Sequence, residues 1–270
     1  MKVYVLYNGY LIADKNLVVS GATLGTLDKP QVDNIMLNMP MIAVLIDHPT
    51  AGKILYDTGG NPRGMDGWWP EALKQGYAYY YEPHETLVEQ LKMCDTKPEE
   101  INTVILSHMH MDHAGNMELF PHADVYVPKA DYYQALSIVH MNQDRNTHSG
   151  YIKEEVTAPA KQYHLVDEND DFELFPGIEI INLPGHTPGL LGLIAHTEND
   201  GTLIFPQDAV YTAEIYGPPA KQAGLMFDNI AFQNSVEKVR RLADKYDAKL
   251  FYAHDVEALD SFRFAPEFYS

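Results

Sequence analysis

Cysteine is nearly absent from this sequence. Cys94 is the only one in 270 residues, so no internal disulfide can form, and a reducing, cytoplasmic setting is expected. Basic residues are also scarce: 19 Lys and Arg stand against 38 Asp and Glu, a formal net charge of −19. Nucleic acids and anionic membrane surfaces need a basic patch to displace their counterions, so neither is expected as a partner. No apolar run approaches the length of a membrane span. Met1 to Asn8 holds one basic residue and no long apolar stretch, so it does not read as a secretory signal. What remains is a chain with 46% hydrophobic residues, enough to bury an ordinary core, and residues 1–270 are read as a single domain.

Histidine and aspartate are present, and they are concentrated. Ser107-His108-Met109-His110-Met111-Asp112-His113-Ala114-Gly115-Asn116 holds three imidazoles and one carboxylate within the six positions 108–113. The stretch follows Val104-Ile105-Leu106, which reads as a buried strand. Alternate side chains of a strand point the same way, so His108 and His110 can share a face. Ala114-Gly115 lets the backbone pass close by. Imidazole and carboxylate are the usual donors to zinc-like divalent ions. Four such groups this close are too many for one ion that keeps an open position, so the spacing points to two ions.

Along the rest of the chain, residues 2–14 alternate around Asn8-Gly9 and predict a hairpin. Residues 15–40 read as an irregular loop whose apolar members line a pocket. Met41 to Thr58 predicts a second hairpin turning at 49–52. Residues 59–83 carry many glycines, both tryptophans (Trp68, Trp69) and Tyr77, Tyr79, Tyr80 and Tyr81, and read either as a subunit interface or as a pocket wall. A short helix with Leu87, Val88 and Leu91 on one face is expected over 84–93, and a capped turn at Thr96-Lys97-Pro98-Glu99. A strand at 123–127 and a helix at 129–139 come next, then a polar surface segment, helical in part, at 140–160. The second half begins near Gln162. It holds a strand at 178–183, a hairpin at 190–206, an irregular stretch at 213–232, a helix over 234–246 capped by Asn234 and Glu237, and a last strand at 249–253.

Three further candidates, His186, Asp208 and His254, each follow a predicted strand. With the 108–113 cluster they make five histidines and two aspartates at strand ends, a ligand set for two ions about 3.5 Å apart with one carboxylate bridging. A weak internal repeat supports two β-rich halves. Val44-Leu45-Ile46 and Ile54-Leu55-Tyr56-Asp57 echo Gly192-Leu193-Ile194 and Leu203-Ile204-Phe205 with Asp208. The architecture expected is α+β, with two sheets face to face and helices outside.

These motifs resemble the metallo-β-lactamase superfamily over nearly the whole chain. His108-Met109-His110-Met111-Asp112-His113 is similar to its signature, Pro184-Gly185-His186-Thr187-Pro188-Gly189 to its second motif, Asp208 to its bridging acid, and Ala253-His254-Asp255 to its last histidine. The resemblance implies an αββα sandwich of two mixed β-sheets. Within the superfamily the chain most resembles the N-acyl-homoserine lactone lactonases. Tyr211, three residues after Asp208, stands where those enzymes keep a tyrosine that touches the substrate carbonyl. The Val-Leu-Tyr-Asn-Gly start and the Phe264-Ala265-Pro266-Glu267-Phe268 tail are similar to theirs, and residues 59–83 resemble the longer, dimer-forming members. Met111 departs from the family, since an aromatic often stands there.

The resemblance implies a quorum-quenching hydrolase with two divalent ions: zinc first, with iron, cobalt or manganese as alternatives. His108, His110, His186 and Asp208 would hold one ion, and Asp112, His113, Asp208 and His254 the other. A hydroxide bridging the ions would open the lactone ring, Tyr211 would bond the carbonyl or oxyanion, and Asp112 would relay a proton to the leaving alkoxide. Met109 and Met111 would line the acyl-chain wall, and no activated Ser or Cys is needed. Other members hydrolyse thioesters, phosphodiesters or β-lactams. The acidic balance disfavours phosphate, and His110 disfavours the two-iron redox branch, which has an acid there. Asp112 and Tyr211 fit a dinuclear lactonase better than the mononuclear iron branch. A metal-stabilised binding module without turnover is the non-enzyme alternative.

Overall fold

In the computed structural model, which describes residues 1–167 and 171–270, two sheets lie face to face. The first has seven strands: β1 (Lys2–Asp14), β2 (Met36–His48), β3 (Gly52–Tyr56), β4 (Ala78–Tyr80), β5 (Ile101–Ile105), β6 (Asp124–Pro128) and β7 (Gln162–Val166), in the order β4-β1-β2-β3-β5-β6-β7. The second has five: β8 (Phe172–Phe175), β9 (Ile178–Asn182), β10 (Leu191–His196), β11 (Thr202–Phe205) and β12 (Lys249–Leu250), in the order β12-β11-β10-β9-β8. Both are mixed. In the first, β1, β2, β3 and β4 pair antiparallel, and β3, β5, β6 and β7 parallel. In the second, only β12 runs parallel to its neighbour.

The alternation of β2 explains the layering. Ile42, Val44 and Ile46 face inward and meet Ile180, Leu193 and Phe205 of the second sheet. Ala43 and Leu45 face outward and are covered by Leu87, Leu91, Ala135 and Val139 from the helices Leu87–Met93 and Lys129–Met141. On the far side, Ile181, Ile194 and Ile204 are covered by Phe232, Val236 and Val239 of the helix Asn229–Tyr246. The result is the expected αββα sandwich.

Several local expectations are corrected. Asn8-Gly9 is not a hairpin turn: β1 runs through it, and its register against β2 shifts between Tyr7 and Tyr10. Gly9 takes a positive φ of 77° there, and Pro40, which has no N–H to give a ladder, sits opposite Tyr10. Residues 36–40 therefore belong to β2 and not to a loop. The segment 59–83 supplies a short edge strand, β4, paired to β1. Val88 is exposed, and Gln90 turns inward instead, accepting a hydrogen bond from the backbone of Tyr7 at 3.0 Å. The turn near 98 is closed by Glu100 on Lys97 N, one residue later than expected. Residues 140–160 are not all surface: Tyr151, Ile152 and Val156 are buried. β7 closes the first sheet rather than opening the second half. The long C-terminal helix starts at Asn229, because Asp228 caps it by accepting from Ala231 N at 2.9 Å. The final strand is reduced to Lys249–Leu250.

Candidate active site

All seven candidate ligands meet at one end of the sandwich. Ser107 anchors the first loop. Its backbone N–H and its hydroxyl both donate to Asp57, at 2.7 and 2.8 Å, and its carbonyl accepts from Leu191 N at 2.9 Å. The chain then turns through His113 N and Ala114 N, which both donate to the carbonyl of His110. Gly115 is required where it stands: a Cβ would lie 2.4 Å from Asn61 N. Gly185 has φ of 138°, and a Cβ there would lie 2.3 Å from Phe232 N.

Asp208 sits at the centre. Its Oδ2 lies 3.3 Å from His186 Nε2 and 3.9 Å from His108 Nε2. His110 Nδ1 completes that group, 3.0 Å from His108 Nε2 and 2.9 Å from His186 Nε2. Asp208 Oδ1 lies 3.1 Å from His113 Nε2 and 3.0 Å from His254 Nε2. Asp112 Oδ2 completes this second group, 3.5 Å from His113 Nε2 and 3.7 Å from His254 Nε2.

The outer nitrogens explain why lone pairs point inward. His254 Nδ1 donates to the carbonyl of Pro40 at 2.8 Å, and His113 Nδ1 to Asp57 at 2.8 Å. Ser107 Oγ has given its proton to Asp57, so it accepts from His108 Nδ1 at 3.0 Å. Tyr211 gives its proton to the carbonyl of Leu225 at 2.9 Å and accepts from His186 Nδ1 at 2.5 Å. In these four histidines Nδ1 carries the hydrogen and Nε2 is left as a donor atom to a cation.

Burial holds His108, His110 and His186 below the usual imidazole value, keeping them neutral. Burial acts the same way on His113 and His254, but the carboxylates of Asp112 and Asp208 outweigh it and raise both. For Asp208, burial is outweighed by the facing histidines, chiefly His254 and His113, which hold it well below the usual carboxylate range.

This donor set fits a pair of divalent cations. Asp112 and Asp208 are buried, and among the described residues neither has a Lys or Arg within ion-pair range. Two buried carboxylates without a cation are costly. His113 Nε2 is buried and makes no hydrogen bond. Three overlapping triplets of donor atoms, His108/His110/His186, His108/His113/Asp208 and Asp112/His113/His254, each lie within 4.8 Å.

Beside the ligands opens a cavity of about 270 Å³. One wall is apolar: Leu11, Val18, Met39 and, from the 59–83 segment, Ala72, Leu73 and Tyr77. Met111 and Tyr211 also line it. Met109 does not: it is fully buried on the helix side of the first sheet, and its N–H donates to Asp131 at 2.7 Å. Sequence reasoning assigned no role to Asp57, which takes four hydrogen bonds, from Ser107 N, Ser107 Oγ, His113 Nδ1 and Gln207 Nε2. The signal was its place in the repeat, as the counterpart of Asp208. Asp131 was also missed. Burial pushes its carboxyl up to about 7, and Tyr151, whose ring packs on His110, donates to it at 2.6 Å.

The sandwich and a His/Asp cluster at its loop end agree with sequence comparison. Residues 43–254 match the metallo-beta-lactamase superfamily, and the chain belongs to it. Among curated proteins it is similar to the N-acyl homoserine lactonase AiiB of Rhizobium rhizogenes, 33% identical over 267 residues, covering 96% of this chain and 95% of that one. It is also similar to the N-acyl homoserine lactonase AiiA of Bacillus thuringiensis subsp. kurstaki, 28% identical over 99% of this chain and 98% of that one. Among solved structures, an N-acyl homoserine lactone hydrolase with the product N-hexanoyl-L-homoserine bound at its catalytic metal centre superposes with a TM-score of 0.82 at 25% identity, covering 99% of this chain and 98% of that one.

Proposed function

We propose that this protein is a dinuclear metal-dependent hydrolase that opens the lactone ring of N-acyl-homoserine lactones. The observation that carries the reading is the division of Asp208, with Oδ2 facing His108 and His186 and Oδ1 facing His113 and His254. His108, His110, His186 and Asp208 would hold one ion, and Asp112, His113, Asp208 and His254 the other. Zinc suits imidazole and carboxylate donors; iron, cobalt and manganese are the alternatives. When bound, two such ions lower the pKa of water and polarise a carbonyl.

The chain's own groups do the rest. Tyr211 exchanges its bond to Leu225 for one to the lactone carbonyl and stabilises the charge that develops there. Asp112, which lines the cavity, would take the proton lost by the attacking water and pass it to the leaving ring oxygen. Met111 and the wall of Leu11, Met39 and Leu73 take the acyl chain out of water. Residues 1–270 act as one domain, in a reducing compartment that suits the lone buried thiol of Cys94. Tyr80 and Met65, exposed on the 59–83 segment, support a homodimer contact; a monomer mass by light scattering would remove that part.

The test is lactone hydrolysis by metal-loaded protein, followed by proton release, across acyl-homoserine lactones, plain γ-lactones and thioesters, with elemental analysis of the same sample. The expected outcome is close to two ions per chain and turnover of acyl-homoserine lactones. Absence of that turnover in fully loaded protein would end the substrate assignment.

A further inference from the structure

Tyr77 ends the helix Glu71–Gly76, and its N–H donates to the carbonyl of Leu73 at 2.8 Å. Its ring belongs to the apolar wall of the cavity with Ala72 and Leu73. The neighbouring phenols are committed elsewhere: Tyr79 donates to the Asn8 carbonyl, Tyr81 to that of Pro62 and Tyr211 to that of Leu225. The hydroxyl of Tyr77 has no hydrogen-bond partner among the described residues. It lines the same cavity as the ligands Asp112 and Asp208, and burial, then the charges of those two carboxylates, push its pKa above the ordinary phenol value. It therefore keeps its proton and can donate it.

The cavity has few other uncommitted donors. Asn146 lines it, but its Oδ1 accepts from Ala72 N at 3.0 Å and its Nδ2 donates to Asp144 at 3.0 Å. Ser149 is exposed at the mouth. Tyr211 stands against His186, to which its hydroxyl is already hydrogen-bonded. Both phenols line the one cavity, Tyr77 as part of its apolar wall and Tyr211 against the ligand His186. Tyr77 marks the seam where the apolar wall meets the ligands.

An acyl-homoserine lactone has one polar group at such a seam, the amide that joins ring to chain. We propose that Tyr77 donates a hydrogen bond to the carbonyl oxygen of that amide, and so distinguishes an acylamino-lactone from a plain alkyl lactone. The proposal rests on the lactonase reading given above. Tyr77 is only partly buried, so its hydroxyl can stay with water when a plain lactone binds, and the bond rewards the acylamino-lactone without penalising the other.

The experiment compares metal-loaded wild type with Tyr77→Phe on N-decanoyl-homoserine lactone and on γ-decalactone, which carries an alkyl chain on the same ring without the amide. KM for the acyl-homoserine lactone should rise about tenfold in the variant, with kcat nearly unchanged, the size of one hydrogen bond to a neutral group. The rate on γ-decalactone should not change. Calorimetry should give about tenfold weaker binding of the ring-opened N-decanoyl-homoserine, a readout without turnover. Equal loss on both lactones, or none on the first, would overturn the proposal and leave the lactonase reading intact. Wild type that opens γ-decalactone but no acyl-homoserine lactone would remove both. The melting temperature should be unchanged, since the hydroxyl supports nothing in the fold; a lowered one would also count against the proposal.

Discussion

The seven-stranded sheet brings His108, His110, Asp112 and His113 to the site on one loop of six residues, whereas the five-stranded sheet brings His186, Asp208 and His254 after three different strands, β9, β11 and β12. The first group is placed by local geometry, a strand end followed by a turn closed on the carbonyl of His110. The second is placed by tertiary pairing alone. His254 follows a two-residue strand and depends on the carbonyl of Pro40 in the other sheet for its orientation. Clustered ligands are cheap to find and cheap to position. Dispersed ligands cost a folded core, and in return they let one carboxylate, Asp208, face both halves of the site.

That contrast can be broken experimentally, and the sharpest break is at Asp208. Asp208→Asn is expected to lower metal content to below one ion per chain and to abolish lactone turnover, because both groups lose their shared oxygen. His254→Ala, which touches one group, should remove a single ion. Elemental analysis giving the same one-ion loss in both variants would mean that the carboxylate is not shared.

Tyr211→Phe should fold and keep both ions yet lose turnover by roughly 10- to 1000-fold, the upper end being the loss of one oxyanion donor. Steady-state rates beside metal content check this. Rates equal to wild type would leave Tyr211 as a support for His186 only.

Asp57→Ala tests whether the clustered group is as self-sufficient as it looks. With His113 and Ser107 freed, metal affinity should fall by about 10- to 100-fold, the usual effect of removing a ligand's outer hydrogen-bond partner. Competition with a chromophoric chelator measures it. An unchanged affinity would mean that the loop orients His113 without help.

The smallest expected effect is on stability alone. Gly115→Ala would push a Cβ against the backbone of Asn61 and Gly59 and should cost about 1–3 kcal/mol, as overpacking does. Thermal unfolding of the metal-free protein reads it; no change in Tm would show that the 59–61 backbone can yield.

The same contrast sets what could be read in advance. The αββα layering followed from apolar strands and their acids, and the 108–113 cluster from spacing. The bulge at Gly9 and the strand 36–40 were hidden, because Pro40 and the glycines of that region carry turn signals that pairing with β1 overrides. Asp57 was hidden because its work is done on His113 and Ser107, distant in sequence and adjacent only after β3 and β5 pair. Tyr77 was one of 18 tyrosines until the helix before it turned its ring into the cavity wall. Met109 was misplaced because its neighbours on either side, His108 and His110, face the ligands and an alternating strand end sends it to the opposite side.

The hydrogen bonds that cross between the sheets have a consequence for the lifetime of the folded chain. His254 reaches Pro40 across 214 positions and Gln207 reaches Asp57 across 150, while Tyr56 donates to the carbonyl of Leu191 at 2.7 Å. Contacts between such distant segments form late, since the intervening chain must first be ordered. Once made, they mean that neither sheet can open without dismantling the ligand cluster. Cations bound there would act as rivets through both plates: they bind the native form alone, and their release becomes part of any unfolding event. A chelator should therefore make the whole chain, and not one loop, a quicker meal for a protease.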